Sequence, residues 1–134
     1  MKTHYVLGFL FSRNKQFVAL IKKNKPEWQK GLLNGIGGKV EGGEDIYNAM
    51  QREFKEETGV DIERWLHFAK LEGEDFVVDV FKAFNDNVLN VNTMTEETVY
   101  LFDLNFITLP TISNIPWLLE MALDDSKFFT TVIY

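Results

Sequence analysis

The sequence of 134 residues contains no cysteine. This absence excludes disulfide bonds, thiolate metal ligands and a cysteine nucleophile, and it fits a reducing compartment. No apolar run reaches the roughly 20 residues that a membrane-spanning helix requires. The N-terminus also lacks the basic, apolar and small-residue layout of a signal peptide. We therefore expect a cytoplasmic protein without a membrane partner.

Basic residues are outnumbered, with 14 Lys and Arg against 20 Asp and Glu and a formal net charge of −6. This balance argues against nucleic acid as a partner, because nucleic-acid binding needs a basic face. The hydrophobic share of 46% is ordinary for a globular chain. The length fits one domain with its own core. We expect a single domain over residues 1–134, as a monomer or a homodimer.

Apolar, β-branched and aromatic runs predict most secondary structure. We predict a hairpin of strands at residues 4–11 and 16–21, then strands at 64–71, 75–84, 99–104 and 128–134. Helices are predicted from about residue 44 or 45 to 58, with Gly59 as the stop, and at 114–123. The glycine-rich segment 22–43 is predicted to be a loop. This order favours an α/β fold with a mixed sheet.

The first predicted helix changes character along its inward face. At about 100° per residue, one apolar stripe collects Ile46, Ala49, Met50 and Phe54. Glu53 and Glu57 continue that stripe, and Glu56 flanks them. Carboxylates directed at the protein body cost on the order of several kcal/mol each unless something compensates them. Oxygen ligands at i, i+3 and i+4 suit a hard divalent cation, which favours a metal site over a solvated helix.

The residues from Gly38 to Val60 match the pattern Gly-x5-Glu-x7-Arg-Glu-apolar-x-Glu-Glu-x-Gly-apolar at every specified position. The matching residues are Gly38, Glu44, Arg52, Glu53, Phe54, Glu56, Glu57, Gly59 and Val60. Chance would produce this match at roughly 10^-10 per starting point. The pattern is the signature of the Nudix hydrolases, and the chain strongly resembles a MutT-like member of that family. The resemblance implies an α/β/α sandwich around a mixed sheet.

The resemblance also implies attack of water on a phosphorus of a nucleoside diphosphate that is linked to a further group. Mg²⁺, with Mn²⁺ as the alternative, would bridge phosphate oxygens and acidify the water. The implied metal ligands are Glu53, Glu56 and Glu57 with the carbonyl of Gly37. We predict that Glu56 and Glu57 are the principal ligands. Glu53 is predicted to be either a further ligand or the catalytic base.

Four further acidic and basic residues are assigned supporting roles. Arg52 is predicted to pair with a nearby Glu and fix its rotamer. Glu44 is predicted to cap the helix or to order the loop through hydrogen bonds. Because family members often add a carboxylate from a later loop, Glu96 and Glu97 are candidates for an extra ligand or base, and we favour Glu97. His4 and His67 lie in strand-like runs and are predicted to be structural.

Phosphate contacts are expected from the glycine-rich segment and from nearby lysines. Gly37 and Gly38 lack Cβ atoms, so their backbone can approach a ligand and adopt positive φ. A carbonyl in this segment can coordinate metal, and its amides can face a phosphate. Lys39 and Lys22 are candidate phosphate contacts, because cations near a leaving phosphate lower the barrier. For Lys22, a solvated strand end is an equal alternative.

The segment Leu33–Val40 is similar to the loop of family members that hydrolyse oxidised purine triphosphates. In those relatives an Asn at the position of Asn34 contacts the base, and an amide can both donate and accept there. Trp117 or Trp28 could stack on the base, with core packing as the alternative for Trp117. Ser113 or Asn114 could contact its other edge. Some relatives carry paired acidic residues where this chain has Ser113 and Asn114.

These observations together predict a Mg²⁺-dependent pyrophosphohydrolase. Its expected substrate is a nucleoside triphosphate such as 8-oxo-dGTP or a related purine deoxynucleotide, which would give the monophosphate and pyrophosphate. One alternative is a Nudix hydrolase of ADP-ribose, a nucleotide sugar or a dinucleoside polyphosphate. Another is a non-catalytic Nudix domain that senses a nucleotide. The intact Arg-Glu-x-x-Glu-Glu run disfavours the sensor, which would be free to lose its metal ligands.

Overall fold

A computed structural model describes residues 1–125 and 129–134. Its strands are β1 (Thr3–Phe11), β2 (Phe17–Lys22), β3 (Leu33–Asn34), β4 (Ile36–Lys39), β5 (Leu66–Glu72), β6 (Phe76–Phe84), β7 (Val99–Asp103) and β8 (Thr130–Ile133). Its helices are α1 (Ile46–Thr58) and α2 (Ile115–Leu123), with short 3-10 turns at Glu27–Gln29 and Asp86–Asn90. The predicted last strand is confirmed over Thr130–Ile133, whereas its first residue, Phe128, lies outside the described residues.

The strands form one mixed sheet, which confirms the predicted sheet type. The main path of neighbours is β3-β2-β1-β6-β5-β8, while β4 pairs with β1 and β7 pairs with β2. β1 lies parallel to β6 and antiparallel to β2 and β4. The long β1–β6 pairing runs from Thr3 opposite Phe76 to Phe11 opposite Phe84. This pairing places β1 at the centre of the sheet. Its antiparallel neighbours are β2 and β4, and its parallel neighbour is β6.

The two helices cover opposite faces of the sheet, as an α/β/α sandwich requires. α1 buries Ala49, Met50 and Phe54 in a core cluster with one set of strand residues. α2 buries Ile115, Leu118 and Leu119 in a second cluster built on the other face. Each Met, Phe, Ile or Leu side chain that is fully buried in these clusters contributes about 1.5–3 kcal/mol. Among the described residues, neither helix has the length and apolar character needed to span a bilayer.

The glycine-rich segment is not the loop that the sequence predicts, because it contains β3 and β4. Gly37 lies opposite Leu7 and Gly38 opposite Val6 in the β1–β4 pairing. A Cβ on Gly37 would come 1.9 Å from the Val6 carbonyl oxygen, so only glycine permits this approach. Positive φ is not the reason, since the glycines with positive φ are Gly31, Gly43 and Gly59. The expectation of positive φ at residues 37 and 38 was therefore wrong.

Helix α1 begins slightly later than the sequence predicts, at Ile46. Asp45 is its N-cap and accepts hydrogen bonds from the backbone N–H groups of Tyr47 and Asn48. This leaves no acidic residue in the first turn of α1. The predicted stop at Gly59 is confirmed, because its φ of 78° is left-handed and its N–H donates to the Lys55 carbonyl. These two ends fix which side chains of α1 face β4.

Candidate active site

Arg52 joins α1 to the loop before it and to β4. Its Nε and Nη2 donate to the two carboxylate oxygens of Glu44 at 2.7 and 2.9 Å, a bidentate pair. Its Nη1 donates to Glu53 Oε1 at 2.9 Å, and Nη2 also reaches the Lys39 carbonyl at 3.1 Å. The Arg52 side chain is only 24% exposed, so these bonds are partly shielded from water. Arg52 thus holds two carboxylates and the end of β4 in one arrangement.

Glu44 hydrogen-bonds the loop before α1 and pairs with Arg52, and it does not cap the helix. Besides the bidentate pair, its Oε1 accepts the backbone N–H of Glu41 at 3.0 Å. The Arg52 hydrogen bonds lower the pKa of Glu44 to about 2 despite opposition from burial, and the Glu41 N–H adds to the effect. The same bonds raise the pKa of Arg52. The structure therefore supports loop ordering for Glu44, while Asp45 takes the capping position.

Glu53 is far more shielded than Glu56, with its side chain 13% exposed against 56%. It lies against Gly38, where an added Cβ would come 2.5 Å from the carboxylate atoms. Burial raises the pKa of Glu53, the Arg52 hydrogen bond and charge oppose that rise, and the charges of Glu56 and Glu57 add to it. The protein therefore places an anion here that one arginine compensates only in part. A second cation would complete the compensation.

Glu56 and Glu57 differ in their surroundings. Glu56 has a side chain that is 56% exposed and lies 3.3 Å from Arg52 Nη1. Glu57 is half-buried, and its Oε2 accepts a hydrogen bond from the Thr95 hydroxyl at 2.9 Å. The structure thus brings the three predicted carboxylate ligands onto one side of α1, with Glu53 inward and Glu56 outward.

The donor set fits a divalent metal chemically. Carboxylate oxygens are the ligands that hard cations prefer, and cation binding would favour the ionised form of Glu53. In the geometry of the described residues, however, no three Asp, Glu, His or Cys side chains converge closely enough to enclose an ion. Glu53 is turned towards Arg52 instead. Rotation of the Glu53, Glu56 and Glu57 side chains is therefore part of what metal binding would require.

Glu97 lies in a different set of contacts from the α1 carboxylates. Its carboxylate accepts from Lys23 Nζ at 2.9 Å and from the backbone N–H of Asn24 at 2.6 Å. Burial opposes ionisation of Glu97, but these bonds and the Lys25 N–H outweigh it and lower the pKa. Within residues 1–125 and 129–134, no hydrogen bond or ion pair joins Glu97 to Glu53, Glu56 or Glu57. Glu96 offers its carbonyl to Asn24, and its side chain is exposed.

The two predicted phosphate lysines sit at strand ends. Lys39 ends β4, is exposed, and gives its carbonyl to Arg52. Lys22 ends β2, where it lies opposite Leu33 of β3.

The predicted base contacts are divided between two faces of the sheet. Asn34 lies opposite Ile21, on the α1 side, and its Oδ1 accepts the Gly35 N–H at 2.8 Å. Asn114 precedes α2, and its Nδ2 donates to the Tyr134 hydroxyl at 3.2 Å. Its Oδ1 is buried and has no hydrogen-bond partner among the described residues. Trp117 packs against the α2 core. Asn114 and Trp117 belong to the start of α2, and the backbone bridge between Leu33 and Thr111 places the segment before α2 beside the strand that carries Asn34.

The other two aromatic and polar candidates for base contact are open to solvent. Trp28, in the 3-10 turn after β2, is 67% exposed. Ser113 is exposed beside Asn114.

Sequence reasoning missed a buried carboxylate between two histidines. Asp79 is 3% exposed; it hydrogen-bonds His4 Nε2, and its Oδ1 lies 2.8 Å from His67 Nε2 without hydrogen-bond alignment. The available indication was the one acidic residue inside the apolar run of β6. These contacts support the structural reading of both histidines. Sequence reasoning also missed Thr95, for which no pattern gave an indication.

Comparison with known proteins places this site in a family. The family model described as the NUDIX domain matches residues 1–114, most of the chain. The chain belongs to the Nudix family, and with its signature residues assembled on α1 it is a Nudix hydrolase. Nudix hydrolases bind small nucleotide substrates and generally use divalent metal ions. A search of curated protein sequences finds no match.

Solved structures share the fold at low sequence identity. A MutT NUDIX hydrolase from Burkholderia pseudomallei superimposes with a TM-score of 0.75 at 20% identity, covering 90% of this chain and 98% of that one. An ADP-ribose pyrophosphatase from Streptococcus suis gives 0.73 at 17% identity, with 100% of both chains covered. The NUDIX domain of Shewanella oneidensis NrtR, solved with ADP ribose, gives 0.71 at 16%, covering 91% and 86%. At these identities the likeness shows the fold alone.

Proposed function

We propose that this chain is a Mg²⁺-dependent pyrophosphohydrolase that converts a nucleoside triphosphate and water into a nucleoside monophosphate and pyrophosphate. The observation that carries this proposal is the position of Glu53. Its carboxylate lies against Gly38 of β4 and is only partly compensated by Arg52, with Glu56 and Glu57 beside it. Three carboxylates beside one arginine repel one another and are only partly compensated, so this grouping would not be kept for stability alone.

The residues of the chain divide the work of the reaction. A bound divalent ion would neutralise phosphate charge and acidify the attacking water. Glu53, Glu56 and Glu57 would hold that ion, and the Gly37 carbonyl remains a predicted ligand. Lys39 and Lys22 would face the phosphates with positive charge. Glu53 is the first candidate for accepting the proton of the water. Glu97 is the second, provided that it leaves Lys23.

An oxidised purine deoxynucleotide such as 8-oxo-dGTP is our preferred substrate. Support comes from the sequence of the β3–β4 segment and from Asn114, whose buried carbonyl oxygen has no hydrogen-bond partner among residues 1–125 and 129–134. An amide oxygen in that position could accept a hydrogen bond from a base edge. ADP-ribose is the second candidate, because the Streptococcus suis relative is an ADP-ribose pyrophosphatase and the NrtR domain was solved with ADP ribose.

A substrate panel with Mg²⁺ tests the proposal. It should contain 8-oxo-dGTP, dGTP, dATP, ADP-ribose and a diadenosine polyphosphate, with separate detection of phosphate and pyrophosphate. We expect pyrophosphate from a triphosphate and complete loss of turnover in EDTA. Glu56→Gln should lower kcat at least about a hundredfold, as loss of an electrostatic contact to a transition state does. Glu63→Gln, an exposed carboxylate after α1, is the matched control. No release from any compound would overturn the proposal.

A further inference from the structure

The segment after the second 3-10 turn docks on the last turn of α1. The backbone N–H of Asn92 donates to the Thr58 carbonyl at 3.0 Å, and that of Met94 donates to the Glu57 carbonyl at 3.3 Å. The Thr95 hydroxyl then donates to Glu57 Oε2 at 2.9 Å. The Met94 side chain also covers Gly59, where an added Cβ would meet its sulfur at 3.3 Å. Both the backbone and the carboxylate of Glu57 are therefore held by this segment.

The direction of the Thr95 hydroxyl is itself fixed. Its oxygen accepts the backbone N–H of Glu97 at 3.3 Å, so its own proton is directed to Glu57. Glu97 is anchored in turn by Lys23 and the Asn24 N–H. The neighbouring Thr93 hydroxyl accepts the Val99 N–H at 2.9 Å, which closes the turn onto β7. The Thr95 hydroxyl thus lies between Glu57 of α1 and a turn that is anchored on β7 and on the residues after β2.

We propose that Thr95 is a positioning residue for Glu57. This inference rests on the proposed function, in which Glu57 is a metal ligand. Holding Oε2 with a neutral donor restricts the carboxylate rotamers, leaves the negative charge intact and leaves Oε1 open for an ion. The role needs a hydroxyl at this position, and the methyl group of threonine is dispensable.

Direct Mn²⁺ binding in the absence of substrate tests this role. Free Mn²⁺ can be titrated by electron paramagnetic resonance against the wild-type protein, Thr95→Val and Thr95→Ser. Because the loss of an outer-shell hydrogen bond typically weakens metal binding about 10–100-fold, we expect Thr95→Val to raise Kd at least about tenfold. Thr95→Ser should stay within about threefold of wild type. The Mn²⁺ concentration that gives half-maximal hydrolysis should move in parallel.

Two controls separate a specific effect from a general one. Thr131→Val removes an exposed threonine hydroxyl on β8 and should leave Mn²⁺ affinity unchanged. Circular dichroism should show that each variant is folded, and Thr95→Ala replaces Thr95→Val if the valine disturbs the turn. Equal Kd values for wild type and Thr95→Val, or equal losses in Thr95→Val and Thr95→Ser, would overturn the role of Thr95 alone. A wild-type protein that binds no Mn²⁺ and hydrolyses nothing would overturn the proposed function as well.

Discussion

At the scale of single residues, Glu53 carries a charge that its surroundings partly oppose. Burial, together with Glu56 and Glu57, raises its pKa against the effect of Arg52. A carboxyl group whose pKa is higher in the folded than in the unfolded protein destabilises the fold at neutral pH. That loss declines as the pH falls below the folded pKa and is gone once the pH lies below the unfolded pKa. Glu53 therefore fits a residue kept for function at some cost in stability.

We expect Glu53→Gln to separate stability from activity. Without metal at pH 7, its free energy of unfolding should equal that of the wild type or exceed it by about 1 kcal/mol, since a neutral amide can still accept from Arg52. Urea unfolding in EDTA measures this, with Glu63→Gln as the exposed control. Turnover with Mg²⁺ should fall at least about a hundredfold. Destabilisation by more than about 2 kcal/mol would show that Glu53 is primarily a structural partner of Arg52.

Glu44 has the opposite pH dependence, because Arg52 lowers its pKa from 4.5 to about 2. Its contribution is present above the unfolded pKa and is lost as the pH falls towards the folded pKa. We expect Glu44→Gln to cost about 1–3 kcal/mol at pH 7 and clearly less at pH 3, measured by urea unfolding. Glu41→Gln is the control, since the Glu41 side chain is 70% exposed and lies 3.6 Å from Arg52. A cost that does not change with pH would contradict this assignment.

At the scale of elements, β4 combines a structural and a functional use of glycine. An added Cβ at Gly37 meets the Val6 backbone at 1.9 Å, whereas at Gly38 it meets the end of the Glu53 side chain at 2.5 Å. Backbone cannot move away without separating β4 from β1, but a glutamate side chain can rotate. Replacing each of these two neighbouring glycines by alanine should therefore affect the protein in different ways.

We expect Gly37→Ala to lose at least about 2–3 kcal/mol of folding free energy or to prevent folding. Gly38→Ala should fold with a loss near 1 kcal/mol, and should weaken Mn²⁺ binding about tenfold because it displaces Glu53. Gly42→Ala is the matched control, since no atom lies within 4 Å of its added Cβ and its φ is not positive. Thermal unfolding and Mn²⁺ titration distinguish the three. Unchanged Mn²⁺ affinity in Gly38→Ala would contradict the link between β4 and Glu53.

The elements that the sequence predicts well are those with strong local patterns. The apolar stripe of α1 and the run of β6 appear within about two residues of their predicted bounds. β3 and β4 escaped prediction because the glycines within and beside them indicate a loop locally, while their strand geometry depends on pairing with the distant strands β2 and β1. The signature located the carboxylates of α1 on its own. It could not show that Glu97 pairs with Lys23, because that pairing depends on how two distant loops meet.

At the scale of the whole molecule, the candidate site lies outside both hydrophobic clusters. Those clusters consist of apolar residues on the two faces of the sheet. In the described structure Glu53 and Glu56 of α1 already have Arg52 as a partner, and Glu57 accepts a hydrogen bond from Thr95. Metal is therefore not needed to complete a core, and the fold and the chemistry should respond differently to its removal.

Removal of divalent metal should abolish hydrolysis and leave the protein folded. Linkage gives a stabilisation of about 1.4 kcal/mol at a metal concentration ten times Kd, which corresponds to roughly 3–6 °C in Tm for a chain of this size. We expect calorimetry to show this rise on adding Mg²⁺ to wild type, with little or no rise in Glu53→Gln. Addition of EDTA should reverse the rise without loss of cooperative unfolding. A protein that unfolds in EDTA at 25 °C would mean that the carboxylates of α1 depend on metal for their placement, and Arg52 would then be insufficient to hold the site together.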